Sequence, residues 1–237
     1  MKNCPSWLSI AVASIPLLLA ACQSSTAPLH RGLVPFRWME SAPHRGEPAF
    51  TRLGMHLPGS PEAGNWLKQI QAGDVIGFHM SHAEARAHLR AGTVQKLPYE
   101  LFAYGHVAIV VPHGHKFRLL QNSMSDVANM DHGSDYLRDK SWSLFRPACI
   151  DLTKLEAFAH HITHGKPATY DMTGTLGLWN AGMKPKSLQQ TASRYTCTTL
   201  VIAALHYSGC PLRVSRTAGV FDLITPGQLL KARTKIK

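Results

Sequence analysis

Five apolar residues in a row, Val107 to Val111, are followed by His113-Gly114 and then by a second run from Phe117 to Gln121. Two short runs separated by a glycine turn read as antiparallel strands of one hairpin, so the chain is committed to a fold with an antiparallel sheet. Val75, Ile76 and Phe78 after the Gly73-Asp74 turn read as another buried strand, and Ser143 to Arg146 as a further one ended by Pro147. Helical signals surround these runs. Ser81-His82-Ala83-Glu84 has capping-box spacing, closed by Gly92, and Leu155, Phe158, Ala159 and Ile162 give residues 152–164 one apolar face before Gly165. A last long helix starts at Thr196-Cys197, buries Leu200, Val201, Ala204 and Leu205, and ends at Gly209. The expected class is α+β, a small antiparallel sheet packed against the Cys197 helix and two or three others. Residues 122–140 are weakly patterned, residues 165–194 read as a long irregular connection, and no internal repeat is found.

The amino terminus reads as an export signal: Lys2, an apolar stretch from Trp7 to Leu19, and small residues before a cysteine. The stretch is too short to span a bilayer. Leu19-Ala20-Ala21-Cys22 resembles a bacterial lipobox, which implies removal of residues 1–21, diacylglycerol on the Cys22 sulfur and an acyl group on its amine. Gln23 resembles a signal for outer-membrane sorting. The expected location is therefore the cell envelope, lipid-anchored at the outer membrane and facing the periplasm, with the membrane as partner through Cys22. Residues 22–62, rich in Ser, Pro, Gly, His and Arg, read as a tether and irregular lead-in, and residues 63–237 as the folded domain. The chain has 25 basic and 14 acidic residues and a formal charge of +11, which falls to +10 when Lys2 leaves with the signal. On an exported, anchored protein that charge meets anionic headgroups, and no nucleic-acid partner is expected.

In an oxidising compartment, Cys149, Cys197 and Cys210 remain once Cys4 is removed and Cys22 lipidated. An odd number leaves at least one free thiol. If it is Cys197, then Cys149 and Cys210 are left to pair or to sit in the core. The 14 histidines raise the question of a metal. His160 and His164 have i, i+4 spacing, yet no Glu follows His160 and no third ligand is identifiable, while His79, His82 and His88 are as diffuse, so no metal site is expected.

Thr196 is a good N-cap, which puts Cys197 at the first helical position, where the helix dipole favours a thiolate. His106 stands at the start of an apolar strand, where a polar side chain needs a partner or a cleft. A cysteine at a helix start and a strand-edge histidine are together a nucleophile and its base. Backbone N–H groups at the helix start would form the oxyanion hole, with Tyr104, Tyr170 or Tyr195 in support.

Gly73-Asp74-Val75-Ile76-Gly77-Phe78, Gly105-His106-Val107-Ala108-Ile109-Val110-Val111 and Tyr195-Thr196-Cys197-Thr198-Thr199-Leu200, in that order, resemble the circularly permuted branch of NlpC-type papain-like cysteine hydrolases, in particular the YaeF/YiiX-type lipoproteins. The likeness runs from about residue 70 to about residue 232, including a closing segment Thr225-Pro226-Gly227-Gln228-Leu229-Leu230. One departure is that Thr198-Thr199 stands where these proteins commonly carry Ser-Glu. The resemblance implies a permuted papain-like fold and a catalytic set of Cys197, His106 and, by hairpin position, Gln121, with Asn122 in its place if the strand slips by one residue. It implies a cofactor-free thiol peptidase or amidase acting on amide bonds, with stem peptides of the cell wall as the leading substrate. Hydrolysis or transfer of a lipid acyl group is the alternative within the fold, and a non-catalytic envelope scaffold the alternative outside it.

Overall fold

The computed structural model describes residues 46–81, 104–123, 127–171, 183–214 and 224–234. In chain order the elements are β1 (Phe50–His56), α1 (Ala63–Gln69), β2 (Val75–His79), β3 (Tyr104–His113), β4 (Lys116–Gln121), β5 (Asn129–His132), α2 (Ser134–Arg138) and β6 (Trp142–Pro147). They continue with α3 (Leu152–His160), which runs into a π turn at His161–Gly165, then β7 (Thr169–Tyr170) and β8 (Arg194–Tyr195). The last are α4 (Cys197–Tyr207), β9 (Leu212–Arg213), α5 (Pro226–Leu230) and β10 (Arg233–Thr234). The fold is mixed α+β. Six strands form an antiparallel sheet in the order β1-β6-β2-β3-β4-β5, while β7 pairs with β8 in parallel and β9 with β10 antiparallel.

The apolar run in β3 is continuous because both faces of the sheet are covered. Val107, Ile109 and Val111 join Val75, Leu120 and Phe145 in a core with α3, α4 and α5, and Ala108 and Val110 join Ile76, Phe78, Trp142 and Leu144 on the other side. Gly77 lets α5 approach β2, since a Cβ there would lie 2.7 Å from Leu230 Cδ1 and 2.8 Å from Tyr104 Cδ1. The Gly73-Asp74 turn is fixed by charge as well as by the φ of +92° at Gly73. Asp74, 1% exposed, accepts the Gln71 N–H at 2.8 Å and both arms of the Arg146 guanidinium at 2.9 and 3.0 Å, joining β2 to β6.

Helix α4 contains Thr198, Thr199, Val201 and Ile202, residues that favour helix poorly, so its stability comes from burial. Leu200, Val201, Ile202, Ala203, Ala204 and Leu205 are all buried, a wider apolar surface than the single stripe expected. Each large side chain among them contributes about 2 kcal/mol. Together they seat the helix start against the sheet.

Some expectations are corrected. The lead-in to residue 62 is not irregular throughout: β1 pairs with β6 along the sheet edge, and Ala49 and Phe50 are buried. The strand is hard to recognise because its register shifts between Arg52 and Gly54 and because the Trp66 ring occupies the space beside Gly54. The folded unit therefore starts ahead of residue 63. The helix expected to reach His164 is α-helical to His160 and continues as the π turn. The weakly patterned stretch 122–140 holds β5 and α2, and the connection 165–194 holds β7 and β8. The capping-box helix expected at 81–92 lies, beyond Ser81, outside the described residues.

Candidate active site

Thr196, at φ −78° and ψ 170°, leaves the extended β8 and caps α4. Its Oγ1 accepts the Thr199 N–H at 3.1 Å, and Thr199 Oγ1 accepts the Thr196 N–H at 2.8 Å. Thr199 thus completes a capping box with a hydroxyl in place of the usual Glu or Gln. Cys197 is the first residue of the helix and 8% exposed.

His106 comes from β3 and Gln121 from the end of β4, and His106 Nε2 lies 3.2 Å from Gln121 Oε1. An amide oxygen accepts only, so Nε2 carries the proton in that contact and Nδ1 is left for the thiol. Two irregularities in the sheet flank the pair. The β2–β3 register shifts between Phe78 and His79, where Gly105 has no partner, and the β4–β5 register shifts between Leu119 and Gln121. Such shifts re-aim side chains at strand ends. The Phe78 ring covers the imidazole at 5.5 Å between centroids.

Burial pushes the Cys197 thiol up, but the hydrogen bond and charge of His106, with smaller help from the Thr198 hydroxyl and the Val107 N–H, bring it below the ordinary thiol value. Burial pushes the His106 ring down, but the hydrogen bond and charge of Cys197, and then the hydrogen bond to Gln121, bring it above the ordinary imidazole value. The opposite shifts favour a thiolate–imidazolium pair, and the N-terminal end of α4 adds to the thiolate side.

Asn122 does not reach His106. It is fully buried, and its Nδ2 donates to the carbonyls of Thr169 at 3.1 Å and Tyr195 at 2.8 Å. The slipped register is therefore not the one observed: Gln121 faces the ring, and Asn122 ties the end of β4 to β7 and β8, two residues ahead of Cys197. The Tyr195 carbonyl also accepts the Asp171 N–H at 3.0 Å. That clamp was missed in the sequence, where Asn122 is one polar residue in a poorly patterned stretch.

The three tyrosines separate. Tyr104 stacks on His79 at 4.8 Å and meets Phe145 edge-on at 5.8 Å. Tyr195 is pushed up to about 12 by burial, against the Ala192 N–H that its hydroxyl accepts at 2.8 Å. Tyr170 is pushed far above the ordinary tyrosine value, first by burial and then by the negative charges of Cys197 and Asp171. Tyr170 is thus the tyrosine within electrostatic reach of the thiol.

Cys149 and Cys210 form a disulfide with a Cα–Cα distance of 5.3 Å, joining the approach to α3 to the end of α4. Cys197 is the free cysteine among the described residues. The His160 and His164 rings stack at 5.0 Å, and among the described residues no three His, Cys, Asp or Glu side chains gather as metal ligands. Cys22, His82 and His88 lie outside the described residues.

A cleft of about 410 Å³ opens onto His106 and Gln121, with Phe78, His132, Tyr136 and Lys140 among its walls. Cys197 is not among the described residues that line it. The volume is within the range of sites for small organic ligands. Comparison with family models, curated proteins and solved structures finds no match.

Proposed function

We propose that the chain is a lipid-anchored envelope cysteine hydrolase of the permuted papain-like, NlpC-type class, cleaving amide bonds such as those of cell-wall stem peptides. The observation that carries this reading is the line Cys197–His106–Gln121, a thiol at a helix start, lowered by an imidazole that is itself oriented by an amide oxygen.

In this mechanism the Cys197 thiolate attacks the carbonyl carbon, forming the Sγ–C bond, and the oxyanion is met by N–H groups at the start of α4. His106, protonated, gives its proton to the leaving amine as the C–N bond breaks. It then takes a proton from the water that cleaves the thioester, and returns it to the sulfur. Gln121 keeps the ring in the tautomer and plane this requires.

The test combines a thiol probe with product analysis. Cys197 should react near neutral pH, Cys197→Ala should abolish turnover with the fold intact, and His106→Ala should cost several orders of magnitude. Incubation with muropeptides and with phospholipids separates peptide cleavage from acyl transfer. A Cys197 inert to the probe refutes the reading in favour of a scaffold.

A further inference from the structure

The walls of the cleft are uneven in charge. Among the described residues that line it are one lysine and three histidines, His79, His106 and His132, with the hydroxyls of Ser123 and Ser141, and no Asp or Glu. The cations Arg138, Arg146 and Lys154 each meet a carboxylate, Asp135, Asp74 and Asp151 respectively. Lys140 joins none of these ion pairs. Its Nζ instead lies 5.4 Å from the centroid of the Tyr136 ring, an aromatic seat that holds a cation in place without neutralising it.

The seat is connected to the site by rings. His106 meets Phe78 at 5.5 Å, Phe78 meets Tyr136 edge-on at 5.9 Å, and Tyr136 carries Lys140 on its face and His132 stacked at 4.0 Å. A substrate whose reacting carbonyl lies near His106 would therefore run along an apolar wall and end at the lysine seated on the Tyr136 ring. These steps bound the distance from His106 to Lys140 at about five extended residues or their equivalent in chain atoms.

We propose that the substrate carries an oxyanion, a carboxylate or a phosphate, remote from the scissile bond, and that Lys140 binds it at the far end of the cleft with Phe78 and Tyr136 flanking the linker. This rests on the reading of Cys197 and His106 as the point of cleavage. It narrows the substrate class to acyl compounds with an anionic end. Peptides with a free carboxylate and phosphate-bearing lipids both satisfy that chemistry.

Two measurements on the full chain test it. In Cys197→Ala, NMR shift titrations use N-acetyl-oligoglycines of one to five residues ending in a carboxylate, a phosphoethanolamide or a neutral amide. The anionic forms should bind about tenfold tighter than the amide at the best length. The preference should vanish in Lys140→Met, reverse in Lys140→Glu and return in Lys140→Arg, and the better anion tells peptide from lipid headgroup. Equal affinity of amide and anions, absence of binding by all three, or a preference that survives in Lys140→Met overturns the proposal. The N-iodoacetyl counterparts, applied to the wild type, should alkylate Cys197 in the same order. Selective binding with no alkylation would keep the anion site and remove the catalytic reading, whereas alkylation without charge preference would do the opposite.

Discussion

Replacing Gln121 with Glu puts a carboxylate where a neutral oxygen now lies 3.2 Å from His106 Nε2. The charge centres of carboxylate and imidazolium would then be about 4 Å apart, which at an effective dielectric of about 20 gives about 4 kcal/mol of attraction. Gln121 is 5% exposed, so burying the new carboxylate offsets a large part of this. A net of about 2 kcal/mol corresponds to about thirtyfold in the proton affinity of the ring, well over one pH unit. The same charge, farther off, disfavours the Cys197 thiolate, so both limbs of the activity profile move to higher pH, the His106 limb more. The assay needs no substrate: the rate of Cys197 alkylation by iodoacetamide is followed from acid to alkaline pH in wild type and Gln121→Glu. Asn122→Ala serves as the control, because that side chain touches backbone carbonyls and not the ring. A Gln121→Glu profile superimposable on wild type refutes the assignment of Gln121 as the group that orients His106.

His106→Ala should raise the pH at which Cys197 becomes reactive, because burial is then opposed only by the smaller effects of the Thr198 hydroxyl and the Val107 N–H; an unchanged alkylation profile would show the two groups uncoupled. Asn122→Ala should cost about 2 kcal/mol in urea unfolding, since it takes a donor from the carbonyls of Thr169 and Tyr195, and should leave the pH dependence of Cys197 alkylation as in wild type. Arg146→Met leaves the buried Asp74 carboxylate without its cation and should cost about 3 kcal/mol, read as a lower melting temperature. Loss of the Cys149–Cys210 bridge in the double Ser variant frees a loop of 61 residues and should cost about 4 kcal/mol on the chain-entropy account, read as a drop in the unfolding midpoint matched by reducing the wild type. Cys22→Ser should abolish incorporation of radiolabelled palmitate, and equal labelling of both forms would sink the lipid anchor.

The hairpin, the Cys197 helix and its cap were legible because each is written in neighbouring residues: an apolar run with a glycine turn, or a Thr before a stretch whose apolar side chains recur on the helical period. His106 and Gln121 were legible in part for the same reason: continuing the hairpin register sets Gln121 across from Ala108, diagonal to His106 and on the same face, within reach of a long side chain. What could not be read depends on distant parts of the chain. β1 is a strand because β6 lies beside it, and two residues each of β7 and β8 become strands only on meeting across a long connection. Asn122 was ambiguous for that reason, because the carbonyls it holds belong to residues 47 and 73 positions later. Lys140 was invisible as a site residue until α2 brought Tyr136 beside Phe78.

The two extremities of the described domain meet. Ala49 donates its N–H to the Ala232 carbonyl, Thr234 donates to that of Glu47, and Pro48 bridges to Arg233. In topological terms the polypeptide is nearly a closed loop, opened at one seam. A short peptide could join the seam and a new opening could be made at an exposed turn, such as the one at Gly114, without moving a contact in either core. In a chain so reopened, Cys197 would precede or follow His106 according to where the new opening lies, with the contacts between the strands and α4 kept.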